Sequence, residues 1–215
     1  MALRTAELSI DNNDPNEHPY NFAIQGEGLP TSPSEDKLTA SDGAAGDRFG
    51  YAVAVAGDTA VVGAYSNQTG QGAAYIFYRD EGGAGNWGQA AKLTASDGAA
   101  GDEFGYAVCI TGDTVVVGAR HDDDGGADAG SAYVFYRDEG GADNWGQVKK
   151  LTASDGAAGD EFSYSVSVEG DTAVIGAPFD DDAAAAAGSA YVFYRDQGGT
   201  DNWGQVKKLT ASDGA

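Results

Sequence analysis

The chain lacks several features on which common classes of protein depend. Its 215 residues include one cysteine, Cys109, so no disulfide can form within the chain. Lysine and arginine number 12 against 34 aspartate and glutamate residues, and the net charge of −22 opposes binding to nucleic-acid phosphates or to an anionic membrane. No stretch approaches the roughly 18 apolar residues that a membrane helix needs. We therefore expect neither nucleic-acid binding nor membrane insertion. The negative charge either favours cations or cationic partners, or keeps the chain soluble by self-repulsion and tolerant of high salt, which screens that repulsion.

Side chains suited to catalysis are also scarce. The two histidines, His18 and His121, lie in different segments, and no serine stands in a nucleophile-elbow pattern. Cys109 lies in an apolar run, where a thiol behaves as an inert core residue. Carboxylates are abundant, but they recur with a repeat and offer no unique pair for glycoside hydrolysis. We predict that the chain is not an enzyme.

An internal repeat organises most of the chain. The sequence KLTASDGAAGD begins at Lys37, Lys92 and Lys150, and it starts again at Lys208, so the spacings are 55, 58 and 58 residues. Each unit contains an alternating run, a Gly-Asp-Thr turn, a β-branched run, a variable loop, an aromatic run, a glycine-rich loop and a segment that opens with tryptophan. This order predicts four strands per unit.

The strands of the second unit are predicted at 106–111, 115–118, 131–137 and 145–152. Large side chains occur on both sides of the third strand, which indicates that both faces of the sheet are covered. A repeated four-stranded meander of this length fits the blades of a β-propeller better than a sandwich or a β-helix. The predicted fold is all-β, with three antiparallel four-stranded blades, no helix, and a loop at the alanine run 183–187.

Three blades are too few to close a ring, because propellers have about 4 to 8. The two unpartnered blade faces would expose apolar surface, which predicts either a homodimer with six blades or a longer protein that supplies the missing ones. The predicted segments are a remnant of another domain (1–29), a linker (30–36), three blades (37–91, 92–149 and 150–207) and the start of a fourth (208–215).

A motif recurs in register with the strands. Asp-Arg/Glu-Phe-Gly/Ser-Tyr begins at Asp47, Asp102 and Asp160, and about a dozen residues later each copy is followed by a Gly-Ala pair, at Gly63, Gly118 and Gly176. This pattern resembles the FG-GAP repeat, the blade unit of the integrin α-subunit β-propeller, and more closely its bacterial and archaeal cell-surface relatives. The resemblance covers residues 37–215.

The resemblance implies a seven-bladed parent ring, an extracellular setting, and adhesion or ligand binding without catalysis. Two positions depart from the family pattern. The family's calcium loop lies between the first and second strands, where this chain has only the short turns at Asp58, Asp113 and Asp171. One carboxylate cannot supply the six to eight or so oxygen ligands of calcium. The third unit also has Ser163 in place of the motif's glycine.

The N-terminal residues resemble a second family. Segments 8–15 and 19–28 are similar to the last two strands of Ig-like repeats of the abnormal-spindle/Hydin type, which occur in bacterial surface proteins. Two strands are too few for an independent sandwich. We therefore expect residues 1–29 to be the end of a truncated domain, and Met1 not to be the natural start.

Two sets of aspartates are candidate calcium ligands. The variable loop of the second unit contributes Asp122, Asp124 and Asp128, since clustered carboxylates repel one another unless a cation lies among them. The repeated turn between units contributes Asp97 and Asp102. The alternative for the first set is a solvated acidic loop. The alternative for the second is turn chemistry, in which aspartate and glycine stabilise the backbone.

Trp87, Trp145 and Trp203 open the fourth strand of each unit, where they either bind carbohydrate by stacking or seal a blade edge against a tyrosine. Three functions remain open. The first is an extracellular binding or adhesion module with an unidentified protein or glycan ligand. The second is a purely structural repeat array. The third is the non-catalytic propeller of a larger secreted hydrolase. A variable loop between strands two and three favours binding, whereas identical turns favour a spacer.

Overall fold

The computed structural model describes residues 5–10, 20–25, 37–182 and 185–212. The chain divides into two compact units, Met1–Lys37 and Leu38–Ala215. In the first unit β1 (Thr5–Ile10) pairs antiparallel with β2 (Tyr20–Gln25). The Ig-like assignment of this hairpin stays a prediction.

The second unit consists of three four-stranded antiparallel sheets, which confirms the predicted all-β fold and its three blades. In each sheet the strands follow one another in chain order, as in a meander. Blade 1 comprises β3 (Val53–Ala56), β4 (Thr59–Ala64), β5 (Ala73–Tyr78) and β6 (Gly88–Leu93). Blade 2 comprises β7 (Phe104–Thr111), β8 (Thr114–Ala119), β9 (Ser131–Tyr136) and β10 (Gly146–Leu151). Blade 3 comprises β11 (Ser165–Glu169), β12 (Thr172–Ala177), β13 (Ser189–Tyr194) and β14 (Gly204–Leu209).

In the described part of the chain, helix is confined to one turn, α1 (Asn67–Gly70), in the variable loop of blade 1. Gln68 and Thr69 have positive φ there, so the turn does not continue as a helix. Among the residues that the structure describes, no helix is long and apolar enough to cross a membrane. Of the predicted alanine loop, residues 185 and 186 form a turn, residue 187 has no regular structure, and residues 183 and 184 lie outside the described residues.

The Phe-Gly and Gly-Ala motifs meet at the contact between neighbouring blades. A side chain at Gly63 of blade 1 would overlap the backbone carbonyl of Gly105 in blade 2. Gly105 itself has a φ of 90°, in the left-handed region that favours glycine. Ser163 takes the equivalent place in blade 3 with a φ of 76° and is fully buried. The two glycines therefore let one blade's backbone lie directly against the next.

Most of the core lies between blades. One cluster joins Val61, Ile76 and Leu93 of blade 1 to Phe104 and Val115 of blade 2, and a second joins blade 2 to blade 3 in the same way. Each phenylalanine of the motif packs edge-on against two aromatic rings of its own third strand, with Phe104 lying 5.6 Å from Tyr133 and 5.9 Å from Phe135. A blade is therefore stabilised mainly by its neighbours, as expected of a repeat array.

Candidate functional site

Three aspartates of blade 2 surround one lysine ammonium. Asp97 comes from the turn that enters the blade, and Asp122 and Asp124 come from the loop between β8 and β9. Lys150 Nζ, near the end of β10, lies 2.8, 2.9 and 2.6 Å from one oxygen of Asp97, Asp122 and Asp124 respectively. These three carboxylates could also hold a metal ion, because the candidate ligand atoms all lie within 4.8 Å of one another.

Asp122 is the buried member of this lysine cluster, with 3% of its side chain exposed. Besides Lys150, it accepts hydrogen bonds from the hydroxyls of Tyr133 at 2.7 Å and Ser131 at 3.0 Å. Burial and the bond to Asp122 raise the pKa of Tyr133. Burial alone would raise the pKa of Asp97, but hydrogen bonds from Lys150 and Tyr133 outweigh it and hold that pKa below its ordinary value. Asp97 is therefore ionised at neutral pH and closely paired with Lys150.

The cluster recurs in blade 3 and is reduced in blade 1. Lys208 Nζ lies 2.9 Å from Asp155, 2.8 Å from Asp180 and 2.6 Å from Asp182. In blade 1, Lys92 contacts one carboxylate, Asp42 at 2.6 Å, and the side-chain oxygen of Asn67 at 3.1 Å. A lysine therefore takes the same place in all three blades, beside three carboxylates in blades 2 and 3 and beside one in blade 1.

The remaining predicted ligands, Asp102 and Asp128, lie outside the lysine cluster. Asp102 accepts a hydrogen bond from the backbone N–H of Ala99 at 2.7 Å, and Asp47 and Asp160 make the same bond in their turns. Burial raises the pKa of Asp102. Asp128 adopts a positive φ, and its backbone carbonyl accepts a hydrogen bond from Glu161 of the next blade at 3.1 Å. Asp102 therefore serves turn chemistry, and Asp128 links two blades through its backbone.

Two of the three tryptophans lie between blades, where a neighbouring blade covers them and leaves them unavailable for carbohydrate stacking. Trp145 and Trp203 are 2% and 1% exposed. Trp145 Nε1 donates to the Tyr78 hydroxyl of blade 1 at 2.6 Å, and Trp203 Nε1 donates to Tyr136 of blade 2 at 2.8 Å. The indoles thus seal one blade against the next through a tyrosine, while Trp87 of blade 1 remains half-buried.

Another group of aromatic side chains forms a continuous row on the surface that carries the variable loops, here called the loop face. The row runs through all three blades, with neighbouring ring centroids 4.6–6.1 Å apart, in the range of favourable edge and tilted contacts. It consists of the tyrosine that ends each of the three copies of the Phe-Gly motif and of two residues from the variable loops. Its members are Tyr51, Tyr65, Tyr106, Tyr164 and Phe179.

A charged group from the blade 2 loop crosses this aromatic row. The Arg120 guanidinium lies 4.0 Å from the centre of the Tyr106 ring and donates to Glu103 at 2.8 Å and to Glu161 of blade 3 at 2.7 Å. His121 lies within 3.7 Å of both glutamates. The equivalent loop positions hold tyrosine and serine in blade 1 and proline and phenylalanine in blade 3. The loop face therefore differs from blade to blade, whereas the turns beneath it repeat.

Sequence reasoning missed the aromatic row, although its signal was present. Tyr51, Tyr106 and Tyr164 each stand four residues after the first aspartate of the motif, and a tyrosine kept in every copy at a strand start is a candidate surface residue. The predicted core cysteine, Cys109, is partly buried and packs against the core between blades 2 and 3, and burial raises its pKa to about 12.

Comparison with known proteins adds one family. The model of a family described as FG-GAP repeat matches residues 33–77, 87–135 and 145–193, which together exceed half of the chain. No curated protein matches the chain. Among solved structures, the chain is similar to the computationally designed Ika4 protein at 14% identity, with a TM-score of 0.49, over 83% of this chain and 80% of that one.

Proposed function

Because the chain belongs to the FG-GAP repeat family, we propose that its blades form a non-catalytic binding module that acts outside the cell or at its surface. The observation that carries this proposal is the aromatic row on the loop face. Tyrosine combines apolar contact area, a polar hydroxyl and few rotatable bonds, and tyrosine and arginine are enriched where proteins bind partners. Tyr51, Tyr164 and Phe179 are 51%, 38% and 44% exposed, so part of the row faces solvent.

The charge around the row favours a protein ligand with cationic groups. Glu103, Glu161 and Asp128 lie around His121. Arg120, lying over Tyr106 between two carboxylates, occupies the kind of site that a ligand guanidinium or ammonium group would use. A glycan that stacks on the exposed rings is the alternative ligand. Closure of the ring, by a second copy or by further blades of a longer protein, belongs to the same proposal.

The binding proposal is tested with printed arrays of glycans and of extracellular proteins. We expect the chain to bind one or more cationic proteins, and Tyr106→Ala, which breaks the row at its centre, to weaken that binding at least tenfold. Asp113→Ala is the matched control, because Asp113 lies in the β7–β8 turn and its exposed carboxylate pairs, among the described residues, with Arg137 alone. Binding to glycans alone would favour the carbohydrate ligand, and no binding in any position would favour a structural array.

Calcium stabilisation is the second part of the proposal, and the lysine clusters limit it. Asp97, Asp122 and Asp124 offer the hard oxygen ligands that calcium prefers, and they would hold it where Lys150 Nζ now lies. Three carboxylates are about half of the six to eight oxygens that calcium takes, so water would have to supply the rest. Calcium must therefore displace an ammonium group that already pairs with all three carboxylates.

We expect calorimetric titration with calcium to give little heat in the native chain and measurable heat in Lys150→Ala, which frees the three carboxylates. The double variant Lys150→Ala/Asp124→Ala should lose that heat, because one ligand is gone. Circular dichroism first establishes that each variant is folded. Absence of heat in folded Lys150→Ala would show that the cluster is not a latent calcium site.

A further inference from the structure

The large apolar side chains that remain exposed in the described part of the propeller belong to its two outer blades. Equivalent side chains in the middle blade are covered. Val53 of blade 1 is 69% exposed, whereas Val108, at the same position of blade 2, is 9% exposed. Leu209 of blade 3 is 45% exposed, whereas Leu151 of blade 2 is 2% exposed. The exposed set is Tyr51, Val53, Val55, Tyr164, Val174, Phe179, Tyr194 and Leu209.

These differences arise from position in the array, because the residue types are nearly the same. Val53 and Val55 lie on β3, on the side of blade 1 that no described blade covers, here called the leading face. Val174, Tyr194 and Leu209 lie on β12, β13 and β14, on the uncovered side of blade 3, here called the trailing face. Each face is therefore one half of the contact that the inner blades complete.

The polar groups of the contact between inner blades are also divided between the two faces, with arginine and tryptophan on one blade and threonine and tyrosine on its neighbour. Where blade 2 meets blade 3, Arg195 of blade 3 lies over the Tyr136 ring at 5.2 Å and donates to Thr114 at 3.1 Å. Trp203 donates to the Tyr136 hydroxyl. The contact of blade 1 with blade 2 repeats the pattern with Arg137, Thr59, Tyr78 and Trp145.

On the outer faces each half of this polar contact between blades is present without its partner. The trailing face holds Tyr194, which is 49% exposed, and Thr172. The leading face holds Arg79, whose side chain is 50% exposed and which lies over Trp87 at 5.5 Å. Among the described residues, neither Tyr194 nor the Trp87 indole makes a side-chain hydrogen bond. One chain thus carries both complementary halves of the same interface.

We propose that the trailing face of one chain docks on the leading face of a second copy, with Tyr194 and Thr172 of one meeting Trp87 and Arg79 of the other. The contact is heterologous, and such contacts form a ring when the rotation closes. Two chains that dock twice would cover all four faces in a ring of six blades. This inference deepens the closure proposed above and needs no ligand, so it fails or succeeds independently of the binding proposal.

One segment must yield for the copies to dock. Residues 38–42 already lie on blade 1 as the corresponding residues of the inner turns lie on their blades. The Ser41 N–H donates to the side-chain oxygen of Gln89, as the Ser96 N–H does to that of Gln147. The matching residues 210–212 of the second copy would compete for this place. Residues 210–212 are exposed in the single chain, so moving them breaks no buried contact.

Light scattering coupled to size exclusion tests the proposal on the full chain. We expect a mass of about twice the 21.9 kDa of one chain. Val53→Asp/Val55→Asp on the leading face, or Tyr194→Ser on the trailing face, should each reduce the mass to that of a monomer. Ala90→Asp, an exposed change on the fourth strand of blade 1, is the matched control and should leave the dimer intact.

Mixing the two variants distinguishes this geometry from a symmetric contact. Each variant retains one intact face, so an equimolar mixture should recover part of the dimer that neither forms alone. Thermal melts establish that the variants are folded, and Tyr194→Ser removes a side chain that is half exposed. A monomeric native chain at its highest soluble concentration would overturn the proposal, as would a dimer that Tyr194→Ser leaves unchanged.

Discussion

Trp145→Ala is expected to lower the free energy of unfolding by about 4 kcal/mol, the range of large-to-small changes at buried aromatic residues. The Trp145 indole is 2% exposed and belongs to the core between blades 1 and 2. Its removal opens a cavity at this contact and takes the indole donor from the Tyr78 hydroxyl. It also removes one of the two rings against which the Arg137 guanidinium packs, at 5.4 Å.

The repeat provides the control for this prediction. Trp87→Ala removes the same side chain at the leading face, where no second blade covers it, and should cost about 1 kcal/mol. Trp203→Ala should resemble Trp145→Ala. Urea unfolding followed by far-ultraviolet circular dichroism measures all three, in the Tyr194→Ser background so that a second copy does not cover Trp87. Equal losses for Trp87 and Trp145 would contradict a role for the indole between blades.

Lys150→Met is expected to lower the free energy of unfolding by about 3 kcal/mol, because breaking a buried ion pair leaves an unpaired charge. The change leaves Asp122, which is 3% exposed, beside two other carboxylates with no cation among them. Hydrogen bonds from Tyr133 and Ser131 remain and limit the loss. The same change at Lys92, which pairs with one half-exposed carboxylate, should cost about 1 kcal/mol or less.

The pH dependence of this difference identifies its electrostatic origin. The pKa of Asp97 is lowered in the folded state, so its contribution is present above its unfolded pKa, at about 4, and is lost as the pH falls through the folded value. Hydrogen bonds that Lys150 donates to the aspartates outweigh burial and raise the pKa of Lys150. Its contribution is therefore present below about 10 and is lost only as the pH rises through the folded value.

Unfolding of the native chain and of Lys150→Met is therefore compared from pH 7 downwards. We expect the difference in stability to shrink as the pH falls and Asp97 binds a proton. Burial raises the pKa of the Asp102 carboxyl in the native chain, and loss of the Lys150 charge, which lowers that pKa, raises it further in the variant. A difference that does not change with pH would indicate lost packing of the lysine stem instead of lost charge pairing.

The elements of the blades could be read from the chain because their signals are local. The turn at Gly112-Asp113 and the alternation in β9 lie within a few residues, and the structure places β8, β9 and β10 within about two residues of the predicted bounds. β7 begins at Phe104, two residues before the predicted start, because the motif itself pairs with β8. Repetition supplied three copies of each signal, which made the blade assignment secure.

The lysine clusters were not predicted, because their members are far apart in sequence. Lys150 lies 53 residues from Asp97 and 28 from Asp122. Only the pairing of β10 with β9 places the fourth strand beside the loop. The aspartates of the variable loop were grouped by proximity along the chain, which placed Asp128 with Asp122 and Asp124. In the structure Asp97, from the preceding turn, takes that third place.

The sequence by itself determined that this protein is built of three β-propeller blades, because strand periodicity, turn residues and a repeat of 55–58 residues are encoded in neighbouring positions. Only the tertiary structure decided what identical residues do. Val53 and Val108, or Trp87 and Trp145, differ in burial because one has a neighbouring blade and the other does not. Burial depends on what covers a side chain, and that information is spread over segments that meet only when the blades stack.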